Sequence, residues 1–298
     1  STIKKKLDEF NLLARPIHII SANMHSVMNT LYSPLALVTE CKKHSAMEIY
    51  EMLSDSKNTV RRKKVMNYAS KKGLIDIKDT SGTNINVQII DTAKLPNNSS
   101  KENVEEKPVI IVMDYAFGEQ AFETMDELLK PYKVSEKETQ FLDVCSVSIM
   151  GKAGILEGGK GDIMIPSSHV FEGTADNYPF KNMLKKSHFE GEDVNVCKGA
   201  MITVLGTSLQ NKDILKFFNN STWNVVGLEM EGAHYQKAIQ SASKIRRSIS
   251  SKVKVQYAYY ASDNPLKTGS TLASGGLGTS GVKPTYLITE KMLNQILE

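Results

Sequence analysis

In the stretch Val225-Val226-Gly227-Leu228-Glu229-Met230-Glu231-Gly232-Ala233, two carboxylates flank a methionine where a buried apolar run gives way to a helical pattern. Acids in that place do one of two things. They decorate the positive end of a helix dipole, or one of them accepts hydrogen bonds from adjacent ribose hydroxyls while Met230 supplies an apolar floor. Another acid stands in Tyr259-Tyr260-Ala261-Ser262-Asp263-Asn264-Pro265-Leu266. Asp263 either caps a turn or serves as a general acid. Breaking an N-glycosidic bond leaves negative charge on the base, and a carboxylic acid that protonates a ring nitrogen relieves it. A third segment, Ile149-Met150-Gly151-Lys152-Ala153-Gly154-Ile155-Leu156, precedes Gly161-Asp162-Ile163. Its glycines let a backbone approach a ligand closely. It is neither a P-loop nor a dinucleotide fingerprint.

These residues need elements to carry them. Apolar runs predict strands at Ile17–Ile20, Asn86–Ile90, Val109–Met113, Ser146–Met150, Gly161–Ile165, Ala200–Leu205, Val225–Met230 and Val253–Ala261. Helical periodicity predicts helices at Lys4–Ala14, Val60–Lys72, Glu119–Leu129, Glu231–Ser243 and Tyr286–Leu297. The alternation implies an α/β fold: a mixed, mostly parallel twisted sheet flanked by helices on both faces. In such sheets ligands sit at the carboxyl ends of the strands, where the polar segments fall. Residues 96–107 are either a domain boundary or a long surface loop. The expected division is an N-terminal α/β segment, 1–107, and a second unit, 108–298. Residues 269–282 read as a Gly/Ser/Thr-rich loop.

Taken in order, Gly151-Lys152-Ala153-Gly154, Gly161-Asp162-Ile163, Leu228-Glu229-Met230-Glu231 and Ser262-Asp263 resemble the nucleoside phosphorylase and nucleosidase family over about residues 108–298. The continuation Asn264-Pro265-Leu266 and Gly269 looks most like AMP nucleosidase. The resemblance implies that Met230 and Glu231 hold the ribose, with Glu229 beside them, and that Asp263, next to Ser262, assists the base. It implies that the backbone of Gly206-Thr207-Ser208-Leu209 lies along the base, that Gly151 and Lys152 border the substrate, and that Glu119 activates water. Glu119 read by itself is an acid at a helix N-terminus. His169 lies in Ser167–Tyr178, read as a surface loop, a region that in the family often borders the sugar. No metal or redox cofactor is implied, and self-association as a homo-oligomer is expected.

Two departures shape the functional expectation. Phosphorolytic members use an arginine and a serine around the glycine turn, where this chain has Ile149 and Lys152. Lysine still binds anions, yet the broken pattern moves the expectation from phosphorylase toward hydrolase, a non-catalytic nucleoside-binding domain being the third reading. Only about 40 residues separate the strand at 109–113 from the glycine turn, and the family usually places more sheet there. Ile19-Ile20-Ser21-Ala22-Asn23-Met24-His25 offers the missing strand, loop and helix. Inserted into the same sheet, it would bring Asn23 and His25 to the pocket; otherwise they cap a helix.

Composition is permissive. Against 33 acids stand 37 basic residues, a net charge of +4, with 41% apolar residues, ordinary for a soluble globular chain. Lys4-Lys5-Lys6 and Arg61-Arg62-Lys63-Lys64 read as solvated helix faces rather than a nucleic-acid stripe. The three cysteines, Cys41, Cys145 and Cys197, form no metal or disulfide pattern and suit a reducing cytoplasm. No run is long and apolar enough to span a membrane. The expected partner is a small nucleoside or nucleotide, with phosphate as co-substrate if the reaction is phosphorolysis.

Overall fold

Residues 17–21 and 109–113 are buried at nearly every position, the pattern of parallel strands covered on both faces. They form the middle of the sheet in the computed structural model, which describes residues 2–80, 82–95, 103–174, 176–206, 211–268 and 278–298. The chain begins with α1 (Thr2–Glu9), β1 (Ile17–Ser21), α2 (Met24–Ala36), α3 (Val38–Cys41), α4 (Ala46–Ser54) and α5 (Thr59–Lys71). Next come β2 (Leu74–Ile77), β3 (Val87–Asp91), β4 (Val109–Met113), α6 (Gln120–Leu128) and the small hairpin of β5 (Tyr132–Lys133) and β6 (Thr139–Gln140). Then follow β7 (Val144–Ile155), β8 (Ile163–Phe171), β9 (Asn177–Pro179), β10 (Val196–Thr203) and α7 (Lys212–Asn220). The chain finishes with β11 (Val225–Glu229), α8 (Gly232–Gln240), β12 (Lys254–Asp263), α9 (Pro265–Thr268) and α10 (Val282–Leu297).

The strand order is β11-β10-β8-β12-β7-β1-β4-β3-β2, with β9 beside β8. β1 lies between β4 and β7 and is parallel to both, so the N-terminal strand sits inside the sheet built from later residues. A buried ion pair reinforces this. Arg15 Nη1 donates to Asp91 Oδ1 at 2.7 Å, and its Nε donates to the Lys107 carbonyl at 2.8 Å. Leu7, Met125, Leu128, Tyr235 and Ile239 from α1, α6 and α8 pack on one face of the sheet. Val27, Tyr32, Leu53, Val65 and Leu287 from α2, α4, α5 and α10 pack on the other.

The expected twisted sheet flanked by helices on both faces is corrected on one side. β7 spends its first half beside β1 and then pairs Gly154 and Ile155 with Leu228 and Gly227 of β11. That pairing closes β7, β12, β8, β10 and β11 into a five-stranded barrel. A Cβ on Gly227 would fall 2.7 Å from the Gly154 carbonyl oxygen and 2.5 Å from Met164 Sδ, so closure needs glycine there.

Closure also explains two further corrections. The segment 151–155, expected as a glycine turn, is the second half of a twelve-residue strand. The region of His169, expected as a loop, is strand β8, held between β10 and β9. The first helix ends earlier than expected because Asn11 adopts a left-handed conformation, φ 56°. Of the expected loops, residues 96–102 and 269–277 lie outside the described residues. Among the described residues no helix is long and apolar enough to cross a membrane.

Candidate functional site

The two acids of the 225–233 segment have different surroundings. Glu229, 2% exposed, ends β11. Thr203 Oγ1 and the Gly232 amide both donate to its carboxylate, and the Glu231 amide donates at 2.6 Å. Thr203 Oγ1 in turn accepts from the Ala233 amide at 2.9 Å. Amides that open an α-helix have no intrahelical acceptor, and Glu229 with Thr203 supplies acceptors for the first turn of α8. Burial, and then the neighbouring Glu231, push the Glu229 carboxyl up to about 8.

Glu231, 5% exposed, turns the other way, and its Oε1 accepts from the Gly118 amide at 3.2 Å. Burial raises its pKa. Met230 between them is half-buried and packs against the cluster of Leu156, Val170, Ile202 and Leu228.

The loop after β4 reaches this junction through tyrosines. Tyr235 of α8 shares its hydroxyl with Ser21 Oγ at 2.8 Å and accepts from the Ala116 amide at 3.2 Å. That contact pins the end of β1 and the 114–118 loop to one helix. Tyr115 sends its phenol toward Glu231 and across Gly151, where a Cβ would meet the hydroxyl at 2.5 Å. The Tyr115 hydroxyl is buried and has no hydrogen-bond partner among the described residues. Gly151 is therefore a seat for a ring, which any larger residue would displace.

β7 also fixes Asp263. Along the β7–β12 ladder Tyr259 faces Gly151, Tyr260 faces Lys152, and Asp263 faces Gly154. Gly154 also faces Leu228 of β11. One residue of β7 is thus flanked by both acid-bearing strand ends, which at ordinary strand spacing places them roughly 10 Å apart. Asp263 Oδ1 lies 2.5 Å from Ser262 Oγ, which is also 3.1 Å from the Ala153 carbonyl oxygen. Asp263 Oδ2 is buried and has no partner among the described residues. Buried polar atoms in native proteins are nearly always satisfied, and exceptions call for a ligand, a water or a functional reason.

A cleft of about 380 Å³ opens at the carboxyl ends of β1 and β4, beside the middle of β7. Asn23, His25, Asp114, Tyr115, Gly151 and Lys152 stand in its wall, with Phe117, 75% exposed, at the rim. Four residues singled out from sequence thus share one cavity. Glu231 and Asp263 are not in its wall, and the phenol of Tyr115 is the partition between the cleft and Glu231. Asn23 also caps α2, accepting from the His25 amide at 3.0 Å. Glu119 is exposed at the start of α6, in electrostatic range of His234 rather than in the cleft. Ser208 and Leu209 lie outside the described residues. Sequence reasoning missed Asp114, Tyr115, Thr203 and Tyr235. The first two directly follow a fully buried strand, a position that could have flagged them.

His169 is fully buried, its Nε2 lies 3.1 Å from the Tyr259 hydroxyl, and Nδ1 has no partner among the described residues. Phe180 stacks on the ring at 5.1 Å and Tyr257 meets it edge-on at 4.7 Å. Burial drops its pKa to about 3, so the folded state keeps it neutral. The unfolded chain takes up a proton below about pH 6.5, so the His169 contribution to stability is complete above that pH and is lost as pH falls toward 3. The expected loss is on the order of a few kcal/mol. Urea melts of wild type and His169→Gln across this window should converge as pH falls; parallel curves would refute the assignment.

Gly232, at the start of α8, lies against the same ring. A Cβ there would sit 2.3 Å from His169 Cδ2 and 2.6 Å from the Tyr259 hydroxyl. Gly232→Ala should therefore cost about 1–3 kcal/mol. An unchanged denaturation midpoint would show that the ring yields freely.

The model of a family of unknown function, DUF6909, matches residues 45–298. No curated protein matches the sequence. Solved structures resemble it in fold. The native futalosine hydrolase of Helicobacter pylori aligns with TM-score 0.54 and 12% identity over 95% of this chain and 98% of its own. The 5′-methylthioadenosine/S-adenosyl homocysteine nucleosidase of Campylobacter jejuni aligns with TM-score 0.54 and 11% identity over 94% of this chain and 97% of its own. A mutant Helicobacter pylori MTAN with 5′-methylthioadenosine in its active site aligns with TM-score 0.54 and 12% identity, covering 94% and 99%.

Proposed function

The chain belongs to the DUF6909 family of unknown function, and we propose that it hydrolyses the N-glycosidic bond of a purine nucleoside or nucleotide. The observation that carries this reading is a pair of buried polar atoms without a close hydrogen-bond partner among the described residues, Asp263 Oδ2 and the Tyr115 hydroxyl, the latter turned toward Glu231. They border the β7 segment that starts at Gly151 and reaches Gly154. A nucleoside laid along that segment offers each of them what it lacks.

In this reading Glu231 accepts the ribose 2′- and 3′-hydroxyls, with the Tyr115 hydroxyl as a further partner and Met230 beneath the sugar. Asp263 donates its proton to the departing base, so the electrons of the broken C–N bond leave on a neutral group and Asp263 is left as a carboxylate. The sugar carbon becomes cationic as the bond breaks, and the Glu231 carboxylate stabilises that charge. Water then adds to the sugar carbon, its proton passing to a carboxylate. Asp114 stands in the cleft wall for this, whereas Glu119 is exposed at the start of α6. Glu229 serves by holding the first turn of α8.

The fold shared with a futalosine hydrolase and with 5′-methylthioadenosine/S-adenosyl homocysteine nucleosidases supports a nucleosidase. The Ser262–Leu266 run favours an AMP nucleosidase-like substrate among those. The half-buried free thiols of Cys41, Cys145 and Cys197 fit a cytoplasmic enzyme, and the exposed Ile214, Phe217 and Trp223 fit a homo-oligomer.

The second reading is phosphorolysis, favoured by one observation, the exposed Lys152 in the cleft wall. Chromatography of products from adenosine, AMP and 5′-methylthioadenosine separates the two. Hydrolysis releases free base without phosphate; ribose 1-phosphate formed only in its presence would replace this reading with the second.

A further inference from the structure

The basic run of α5 is not the uniformly solvated face its composition suggests. Lys63 and Lys64 are exposed, the latter 4.0 Å from Glu40, and Arg61 Nη1 donates to Asn58 Oδ1 at 2.8 Å. Arg62 is turned into a cavity of about 230 Å³ between α2, α4, α5 and the start of α10. It is half-buried and has no carboxylate partner among the described residues. Among the described residues the cavity wall contains no acid. His25, Asn29, Ser54, Tyr260 and Tyr286 line the same cavity as Arg62. Burial lowers the pKa of His25 and raises that of Tyr286, and the charge of Arg62 reaches both rings as a smaller downward influence. Of the nearby carboxylates, Asp114 belongs to the adjoining cleft and Asp76 to β2; neither lines the cavity.

A partly desolvated cation among neutral side chains, with no counter-charge, gains from an anion that joins it. The wall is also held in place. Asn29 Nδ2 donates to the Tyr286 hydroxyl at 2.8 Å, and Tyr50 stacks on Tyr286 at 4.0 Å. Asn23, His25 and Tyr260 line both this cavity and the larger cleft, so the two chambers adjoin. We propose that the Arg62 cavity binds a phosphate-sized oxyanion, and that the oxyanion is carried by the ligand of the adjoining cleft. The substrate class is then an acidic nucleoside, such as a nucleoside monophosphate, rather than an uncharged one. The identity of the carrier rests on the nucleosidase reading; the oxyanion site rests only on the cavity.

Titration calorimetry of the full chain with AMP, adenosine and inorganic phosphate tests this without requiring turnover. A charge-assisted contact predicts that AMP binds about tenfold or more tightly than adenosine. Arg62→Gln, with an unchanged melting temperature, should abolish the difference and leave adenosine within about twofold, while Arg62→Lys restores part of it. Inorganic phosphate should compete with AMP and not with adenosine. Equal binding of AMP and adenosine, or a preference that survives Arg62→Gln, overturns the proposal. Phosphate that binds together with AMP, and is lost in Arg62→Gln, keeps the oxyanion site but overturns its attachment to the substrate. AMP binding without base release would leave the site standing and remove the nucleosidase reading instead; no binding of any of the three removes both.

Discussion

Asp263→Asn is expected to slow base release by about a hundredfold or more, because general acids contribute roughly 10²–10⁴ in rate. The substitution keeps the size of the side chain and an acceptor for Ser262 Oγ, 2.5 Å away in the native structure. What it removes is the ability of the other oxygen, buried without a partner, to carry a proton to the leaving base. The backbone should be undisturbed, since Asp263 is placed by its ladder contact with Gly154. The check is steady-state release of purine from nucleosides, paired with a melting curve. The loss should fall on kcat more than on KM, because the proton moves as the bond breaks. Activity within about threefold of wild type would remove Asp263 from the chemistry.

Glu231→Ala carries the second large effect. A carboxylate accepting two hydroxyl hydrogen bonds contributes about 3–4 kcal/mol, since hydrogen bonds to charged groups give roughly 1.5–3 each and are not fully additive. That corresponds to a fall in kcat/KM of about two to three orders of magnitude. The fold should survive: the Glu231 side chain accepts from the Gly118 amide and meets Tyr115, while Glu229 holds the first turn of α8. A substrate change makes the test specific. Wild type should discriminate strongly against 2′-deoxynucleosides, and Glu231→Ala should lose most of that discrimination. If the variant discriminates as strongly as wild type, the hydroxyls are read elsewhere.

The sequence makes the outline of this molecule readable because its sheet is built from short, fully apolar runs. Val109–Met113 and Val225–Glu229 are buried at every position, so periodicity finds them, and the polar residues just beyond mark the ends where ligands bind. The α/β class and the likeness to nucleosidase structures follow from such segments. Barrel closure does not, because it depends on which strand β7 meets after Met150. Glycine in a strand and glycine in a turn look alike until the pairing of Gly154 with Leu228 is seen.

The same limit applies to the side chains. Glu229 and Glu231 are two residues apart and chemically identical. What separates them is Thr203, on another strand, which turns Glu229 into the helix while Glu231 meets the 114–118 loop. His169 lies among Ser, Gly, Thr and Asn, which suggests a loop, yet it is clamped between Gly232 and aromatic rings distant in sequence. Arg62 belongs to a run that periodicity assigns to solvent, and only the packing of α5 on α2, with the start of α10 across the gap, gives it a cavity. In each case the deciding neighbour is remote along the chain.

Isotope labelling tests the central claim most directly. Purified protein is incubated with adenosine or AMP in ¹⁸O-water without phosphate, and the sugar product is weighed by mass spectrometry. Hydrolysis at the glycosidic carbon predicts free adenine and one heavy oxygen on C1 of the released ribose or ribose 5-phosphate. Intact ligand, or a sugar with phosphate on C1 once phosphate is supplied, would contradict it.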